Sequence, residues 1–366
     1  MPFDSGSISF QVCSLPQSLP EDLLAKFSKK KAPPLEHAKD EPQLGWVSGR
    51  HLLETQIDDK TAYLGGYIHL SLRQAQRKIP AQLLRAQCRM AELELMAEKG
   101  LDRIGRKQKK QIKEDVTERL LPKMPPQLSG IPFVVDSPSN RLYVGATSDK
   151  QLDTFMAYFH QTLGFEPVPL TPDVLAAEQL GKDPSDLPRL NFAPETPNEE
   201  AGGTLGQNFL TWLWFFLNQR EGALPKTQLG EFHMAIDGPL VLVAEGAGAL
   251  ETSLRKGLPT LSAEAKAGLS VGKKLRQAKL SLGRSRQEVW TVTVDADNFV
   301  FRSLKVPPGE ALDPGSAFEE RMTNLYVFHT VLTELFKYFL TQLTDTSKVA
   351  DIQKSGKRWV EQMDGK

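Results

Sequence analysis

Only two cysteines occur in the chain, Cys13 and Cys88, far apart and in no C-x-x-C spacing. That excludes a disulfide framework and a cysteine-based zinc site, and both read as small buried hydrophobes. The six histidines (His37, His51, His69, His160, His233, His329) include no pair three to five residues apart and no H-E-x-x-H, so a local histidine metal site has no support. Long apolar runs are also missing. The longest, Phe209 to Leu217, is half of what a bilayer span needs and reads as core. Met1-Pro2-Phe3-Asp4-Ser5 lacks the basic and apolar parts of a secretory signal, which predicts a cytoplasmic location.

Catalytic motifs are lacking too. Gly268-Leu269-Ser270-Val271-Gly272-Lys273-Lys274 superficially resembles a phosphate loop, but its glycines are four apart and Lys274 stands where a magnesium-binding hydroxyl belongs. No G-x-S-x-G or G-x-G-x-x-G occurs. A magnesium nuclease needs converging carboxylates; Asp295 and Asp297 come nearest, and between two strands they read as turn residues. No catalytic residue, metal ligand or cofactor is therefore expected.

What is present is ordinary in amount and uneven in distribution. The 366 residues carry 40% hydrophobic and 25% charged side chains, enough for two or three globular domains. Formal charge is zero, 45 basic against 45 acidic. Yet Thr171 to Glu200 holds Asp173, Glu178, Asp183, Asp186, Glu195, Glu199 and Glu200 against only Lys182 and Arg189, so basic residues concentrate elsewhere.

Periodicity organises the chain. Ile8, Phe10 and Val12 predict a strand, as does Ala62 to Leu72. Pro80 opens a helix whose stripe is Leu83, Leu84, Gln87, Cys88, Ala91, Leu95 and Met96, stopping at Lys99-Gly100; a second runs from about Arg106 to Leu121, ended by Pro122. Together they read as a helical hairpin. Two strands around Ser137-Pro138-Ser139-Asn140 precede a helix with a Ser148/Gln151 capping box and the stripe Leu152, Phe155, Met156, Phe159, Leu163. The order recurs late: strands 289–294 and 299–306 around Asp295 to Asn298, then a helix with Ser316/Glu319 at its start and a buried face of Phe318, Met322, Leu325, Leu332, Leu335, Phe336 and Phe339 up to about Leu343. The fold class is α+β, with repeated β-hairpin plus helix units and a protruding helical hairpin. The expected partition is an N-terminal α+β region, 1–170, with the hairpin at about 80–121. There follow an acidic, proline-rich connector with a short aromatic helix (Trp212, Trp214, Phe215, Phe216), 171–240, a C-terminal α+β region, 241–345, and a loosely held polar tail, 346–366.

Two acid-free basic tracts carry the functional reading. The first holds Arg103, Arg106, Lys107, Lys109, Lys110 and Lys113; as a helix it puts Arg103, Arg106, Lys107, Lys110 and Lys113 on one face without intrahelical carboxylate partners. The second holds Lys266, Lys273, Lys274, Arg276, Lys279, Arg284 and Arg286, with Arg255 and Lys256 upstream. The bland reading makes them two solvated surfaces. The sharper one makes them a joint lining for a phosphate backbone. Aromatics are not interleaved and no recognition helix is evident, so duplex DNA bound by charge and shape fits better than single strands or a specific sequence.

The motif order resembles the recombination-associated protein RdgC family. The resemblance rests on Leu44-Gly45-Trp46-Val47, Arg77-Lys78-Ile79-Pro80, the basic stretch into Glu118-Arg119-Leu120-Leu121-Pro122, the Pro132 to Gly145 hairpin, Pro167-Val168-Pro169-Leu170, and more weakly Val271-Gly272-Lys273 with the final hairpin. It covers about 1–170 and 255–345. It implies a homodimer closed into a ring whose basic hole encircles double-stranded DNA on the nucleoid, without enzymatic activity, limiting access of the RecA recombinase. By position it puts both basic tracts near DNA. The family commonly has an aromatic dimer contact after Leu-Leu-Pro, where this chain has Lys123-Met124-Pro125-Pro126, and Thr171 to Gly238 is longer and more acidic than the family implies. The rival readings are a magnesium-dependent nuclease and a protein-interaction scaffold.

Overall fold

The alternation Ile8, Phe10, Val12 makes β1 (Ile8–Ser14) a strand with almost no exposed surface, and it is the seam of the molecule. The computed structural model describes residues 3–200, 202–245 and 250–363. Met1, Pro2, the side chain of Glu199 and the last three positions of the expected tail lie outside them. The first half of β1 pairs with β12 (Val300–Lys305) and its second half with β6 (Arg141–Val144), so one strand joins two antiparallel sheets into one. Beyond β6 come β5 (Pro126–Asp136), β4 (Tyr67–Arg77) and β2 (Gln43–Ser48). Beyond β12 come β11 (Val289–Asp295), β10 (Lys274–Gly283), β8 (His233–Val243) and β9 (Glu251–Leu254). Short β3 (Tyr63–Leu64) adds to β4, and β7 (Val168–Pro169) to β1. With ten helices among the described residues, the class is α+β as read from the sequence. None of those helices is long and apolar enough to cross a membrane.

Two cores lie against this sheet. The N-terminal one packs α1 (Leu23–Lys29) and α5 (Asp149–Leu163) on β2, β4, β5 and β6, centred on Trp46. Its ring meets Phe27 at 4.8 Å and Phe133 at 5.4 Å, and its indole N–H donates to Thr162 Oγ1 at 2.8 Å. Gly45 beside it is needed because a Cβ there would lie 2.2 Å from the Ala32 Cα. Between β2 and β4, α2 (Asp59–Ala62) is a single turn capped by Asp58. The larger core packs α7 (Leu205–Gln219) and α9 (Pro314–Leu343) on β8, β10, β11 and β12. Phe209 sits 5.1 Å from Phe336, and Trp212 the same from Phe339.

Several expectations change here. The aromatic helix α7 is longer than a short anchor and buried almost all round, as its nearly continuous apolar run requires. Ser316 is inside α9, not its cap. Asp313 accepts from the Ser316 N–H at 2.9 Å, and Pro314 occupies the first turn, where its missing N–H costs nothing. The acidic connector is anchored by α6 (Pro172–Leu180) and by buried Leu187, Leu190 and Phe192. The tail expected to be loose is instead α10 (Thr346–Gln362), and its Trp359 packs 5.4 Å from Trp214. Burying Val349, Trp359 and Val360 is worth roughly 1.5–3 kcal/mol each, which outweighs a polar composition.

Candidate nucleic-acid interface

Between β4 and β5 the chain leaves the sheet as α3 (Ala81–Lys99) and α4 (Arg106–Leu120), which pack on each other. Leu84, Cys88, Ala91, Leu95 and Met96 are half-buried, while Leu83, Met90 and Leu93 on another face of α3 stay exposed. Cys88 is thus only partly covered, and Cys13 alone is a core thiol, with burial raising its pKa to about 12. Arg77 fixes the base of the pair. Its guanidinium donates to the carbonyls of Ala38 at 3.0 Å, Pro122 at 3.2 Å and Met124. The sequence shows Arg77 only as one more cation in Arg77-Lys78.

All six residues of the first basic tract are exposed. Arg103 lies before the helix, because Gly105 is the N-cap and α4 begins at Arg106; the face shared within the helix is Arg106, Lys107, Lys110 and Lys113. No acid occupies the first turn. The cations therefore sit at the positive end of the helix dipole, where anions are favoured and the side-chain charge adds to that of the backbone. One carboxylate partner on the helix does exist: Lys110 reaches Glu114 at 3.7 Å, and Lys109 reaches Glu92 of α3 at 3.9 Å. The exposed Lys110–Glu114 pair is weak, whereas Glu92 is half-buried and also takes Arg89 at 3.3 Å. Arg103, Arg106, Lys107 and Lys113 make no ion pair among the described residues.

The second tract is folded differently. Arg255 and Lys256 follow β9 and are exposed; Lys266 lies on α8 (Ala263–Ser270) and donates to the carbonyls of Glu361 and Met363. Lys273 donates to Thr252 Oγ1 at 2.7 Å. Lys274 is a core residue, 5% exposed, hydrogen-bonded to the Leu190 carbonyl and 5.6 Å from the Phe192 ring centre. Burial first, and Arg189 second, push its pKa down to about 8. The carbonyl and ring that cover Lys274 come from the connector. Next to it a bulge breaks the alternation of β10: Leu275 pairs with Leu242 and Gln277 with Val241, so Arg276 is the extra residue and Leu275 turns inward. Arg276 faces Asp297 at 3.1 Å, Glu251 at 3.8 Å and Asp295 at 3.9 Å. Arg284 is held by Glu288. Arg255, Lys256, Lys279 and Arg286 make no ion pair among the described residues and reach no backbone carbonyl there.

The two tracts do not form one patch on a single chain. α4 packs on α3 and leads to β5, while β10 lies five strand intervals further along the sheet, an in-sheet distance of about 24 Å at the usual spacing.

Asp297 is further engaged by Thr204 Oγ1 and Gln207 Nε2, both at 2.8 Å, and burial holds the Asp295 pKa up against the opposing pull of Arg276. Asp297 thus ties the turn after β11 to the start of α7. Among the described residues no group of three or more His, Cys, Asp or Glu is placed to hold a metal. His69 is buried and His329 half-buried, and desolvation pushes their pKa values down to about 3 and about 4. Nothing in the sequence marked the contact between His69 Nδ1 and Asp4 at 3.2 Å.

Residues 10–181 match the family model RdgC, whose description reads "Putative exonuclease, RdgC". The resemblance seen in the sequence holds over that stretch, and the second stretch, 255–345, lies outside the match. The chain is similar to the recombination-associated protein RdgC of Pasteurella multocida (strain Pm70), with 25% identity over 173 residues, 44% of this chain and 55% of the relative. It is also similar to the proteins of that name from Pseudoalteromonas atlantica, 28% over 148 residues (40% and 46%), and Bordetella parapertussis, 30% over 159 residues (43% and 48%). The chain thus spans about half the length of the curated relatives it matches.

Proposed function

We propose that this chain, whose residues 10–181 are RdgC-family sequence, binds double-stranded DNA without sequence preference and without chemistry, as a ring-forming or clamp-like dimer that modulates RecA-dependent recombination. The observation that carries the reading is the exposed, largely unpaired cationic end of α4, at the positive pole of its own helix. A dimer supplies what one chain lacks, because each copy would contribute two separated basic surfaces to a common channel. Leu83, Met90 and Leu93, exposed at three- and four-residue spacings together with Ala86 and Ala97, suit helix pairing between copies. The units β5–β6–α5 and β11–β12–α9, flanking β1 on opposite sides, read as related halves. The recombination theme comes from the names of the relatives.

If about six phosphates are neutralised, log affinity for random duplex should fall against log salt with a slope near −5. A slope near zero would remove the electrostatic basis. The second reading, a magnesium-dependent nuclease, is favoured by the wording of the family description. Incubation with end-labelled duplex and magnesium tests it: cleavage abolished by one Asp or Glu substitution would replace the proposal above.

A further inference from the structure

The two ends of the sheet are finished differently. At β2 the edge is covered by backbone: the Trp46 N–H donates to the Lys30 carbonyl at 3.0 Å, and the Ala32 N–H to the Trp46 carbonyl at 2.9 Å. At the other end no described residue pairs with the outer edge of β9. The Ala244 N–H donates to the Leu250 carbonyl at 2.9 Å, so the polar backbone groups of Leu250 face β8, and the register from Val243↔Glu251 to Leu240↔Leu254 is regular. By the alternation of an antiparallel ladder, the N–H and C=O groups of Glu251, Ser253 and Arg255 face away. No hydrogen bond among the described residues takes them. All three residues are exposed.

We infer that the outer edge of β9 is a docking surface for β9 of a second copy of this chain, paired antiparallel about a two-fold axis at Ser253. Resting on the dimer reading above, it supplies a contact at the end of the sheet remote from α3 and α4. The register is selected by charge. Centred on Glu251, the pairing sets two carboxylates opposite each other, and centred on Arg255 it sets two guanidiniums opposite each other. Centred on Ser253, it sets each Glu251 opposite the other copy's Arg255, and all three outward-facing residues join in about six backbone hydrogen bonds. Each side chain has one exposed, weak partner. Glu251 meets Arg276 only at 3.8 Å across exposed surface, and the Arg255 guanidinium touches its own Ser253 Oγ at 3.2 Å. A short charged strand is also a common device against edge pairing. The two roles differ in what a charge swap does: protection is indifferent to which charge sits where, whereas pairing is not.

The test uses the full chain carrying Cys88→Ser and Ser253→Cys. Mild oxidation should yield a crosslinked dimer. Glu251→Arg or Arg255→Glu alone should lower the yield about tenfold, and the two together should restore it. A protein that sediments as a dimer and binds duplex, yet fails to crosslink or is not rescued by the double reversal, overturns the pairing and leaves the DNA-binding reading intact. A crosslinked, charge-rescued dimer that binds no duplex at low salt leaves the pairing standing and sinks that reading instead.

Discussion

The two acid-free basic tracts look alike in sequence and end in opposite environments. On α4 the period of 3.6 keeps long cations outside, because the only buried residue of that helix is Val116. On β10 the period of 2 sends every second residue inward, the bulge at Arg276 turns Leu275 in, and the connector's Leu190 and Phe192 cover Lys274. A cation run therefore reports a solvated surface only when its secondary structure lets all members face one way. The α4 tract keeps its cations in solvent, where the function proposed above would use them to dock an anion. Much of the β10 tract is internal architecture that uses positive charge to hold Leu190, Asp295 and Asp297.

The sharpest way to break this contrast is to neutralise each tract in turn. Replacing Arg106, Lys107 and Lys110 together with Ala should weaken binding to every duplex sequence alike, on the order of 100-fold near 0.15 M salt, and reduce the salt slope by nearly 3. Thermal stability should barely change, since all three are exposed. A loss confined to one sequence would contradict backbone binding. Arg276→Ala should do the reverse. It takes from half-buried Asp295 one of its two cations, with Arg302 remaining at 4.0 Å, and from Asp297 its own, at a cost of about 1–2 kcal/mol of stability by denaturant unfolding, with little change in DNA affinity. Equal loss of affinity from both variants would erase the distinction.

How far this was legible depended on which signal dominated locally. Helices α3, α4, α5 and α9 were readable because apolar residues recur at helical spacing, and the α5 cap because Ser148 does accept from the Gln151 N–H. In β10 the alternation Ala278, Leu280, Leu282 was present but masked by Lys279 within it and by the lysines and arginines on either side, so the segment read as charge instead of strand. α10 escaped because Val349, Trp359 and Val360 are few and widely spaced in a polar stretch, and their partners Trp214, Phe215 and Phe192 lie far upstream. Burial of Lys274 depends on a carbonyl and a ring of the connector, the carbonyl more than eighty residues away; no local pattern encodes it.

Lys274 sharpens the comparison through pH. In the folded chain it loses its proton near 8, whereas the unfolded chain keeps it to about 10.4. Between those values the unfolded state binds more protons, so this residue makes stability rise with pH; below about 8 the penalty of the buried charge is fully present. Lys274→Met should remove that rise. The stability gap between variant and parent should therefore shrink by about 1–2 kcal/mol from pH 8 to 10.4, with DNA affinity unaltered. Parallel pH curves from urea unfolding would show that Lys274 does not carry its charge into the core.

The smallest effect separates two arginines of the turn between β10 and β11. Arg284 is bound to Glu288, with Nε–H donating to Oε2 at 2.9 Å, and that bond holds its pKa up. Arg286 is exposed without an ion pair among the described residues. Removing a neutralised pair changes the local field little, so Arg284→Ala combined with Glu288→Ala should leave duplex affinity unchanged. Arg286→Ala should cost about twofold and lower the salt slope by about 1 if this turn faces the phosphate backbone. No loss from Arg286→Ala at low salt would take the turn out of the interface and leave α4 as the principal contact.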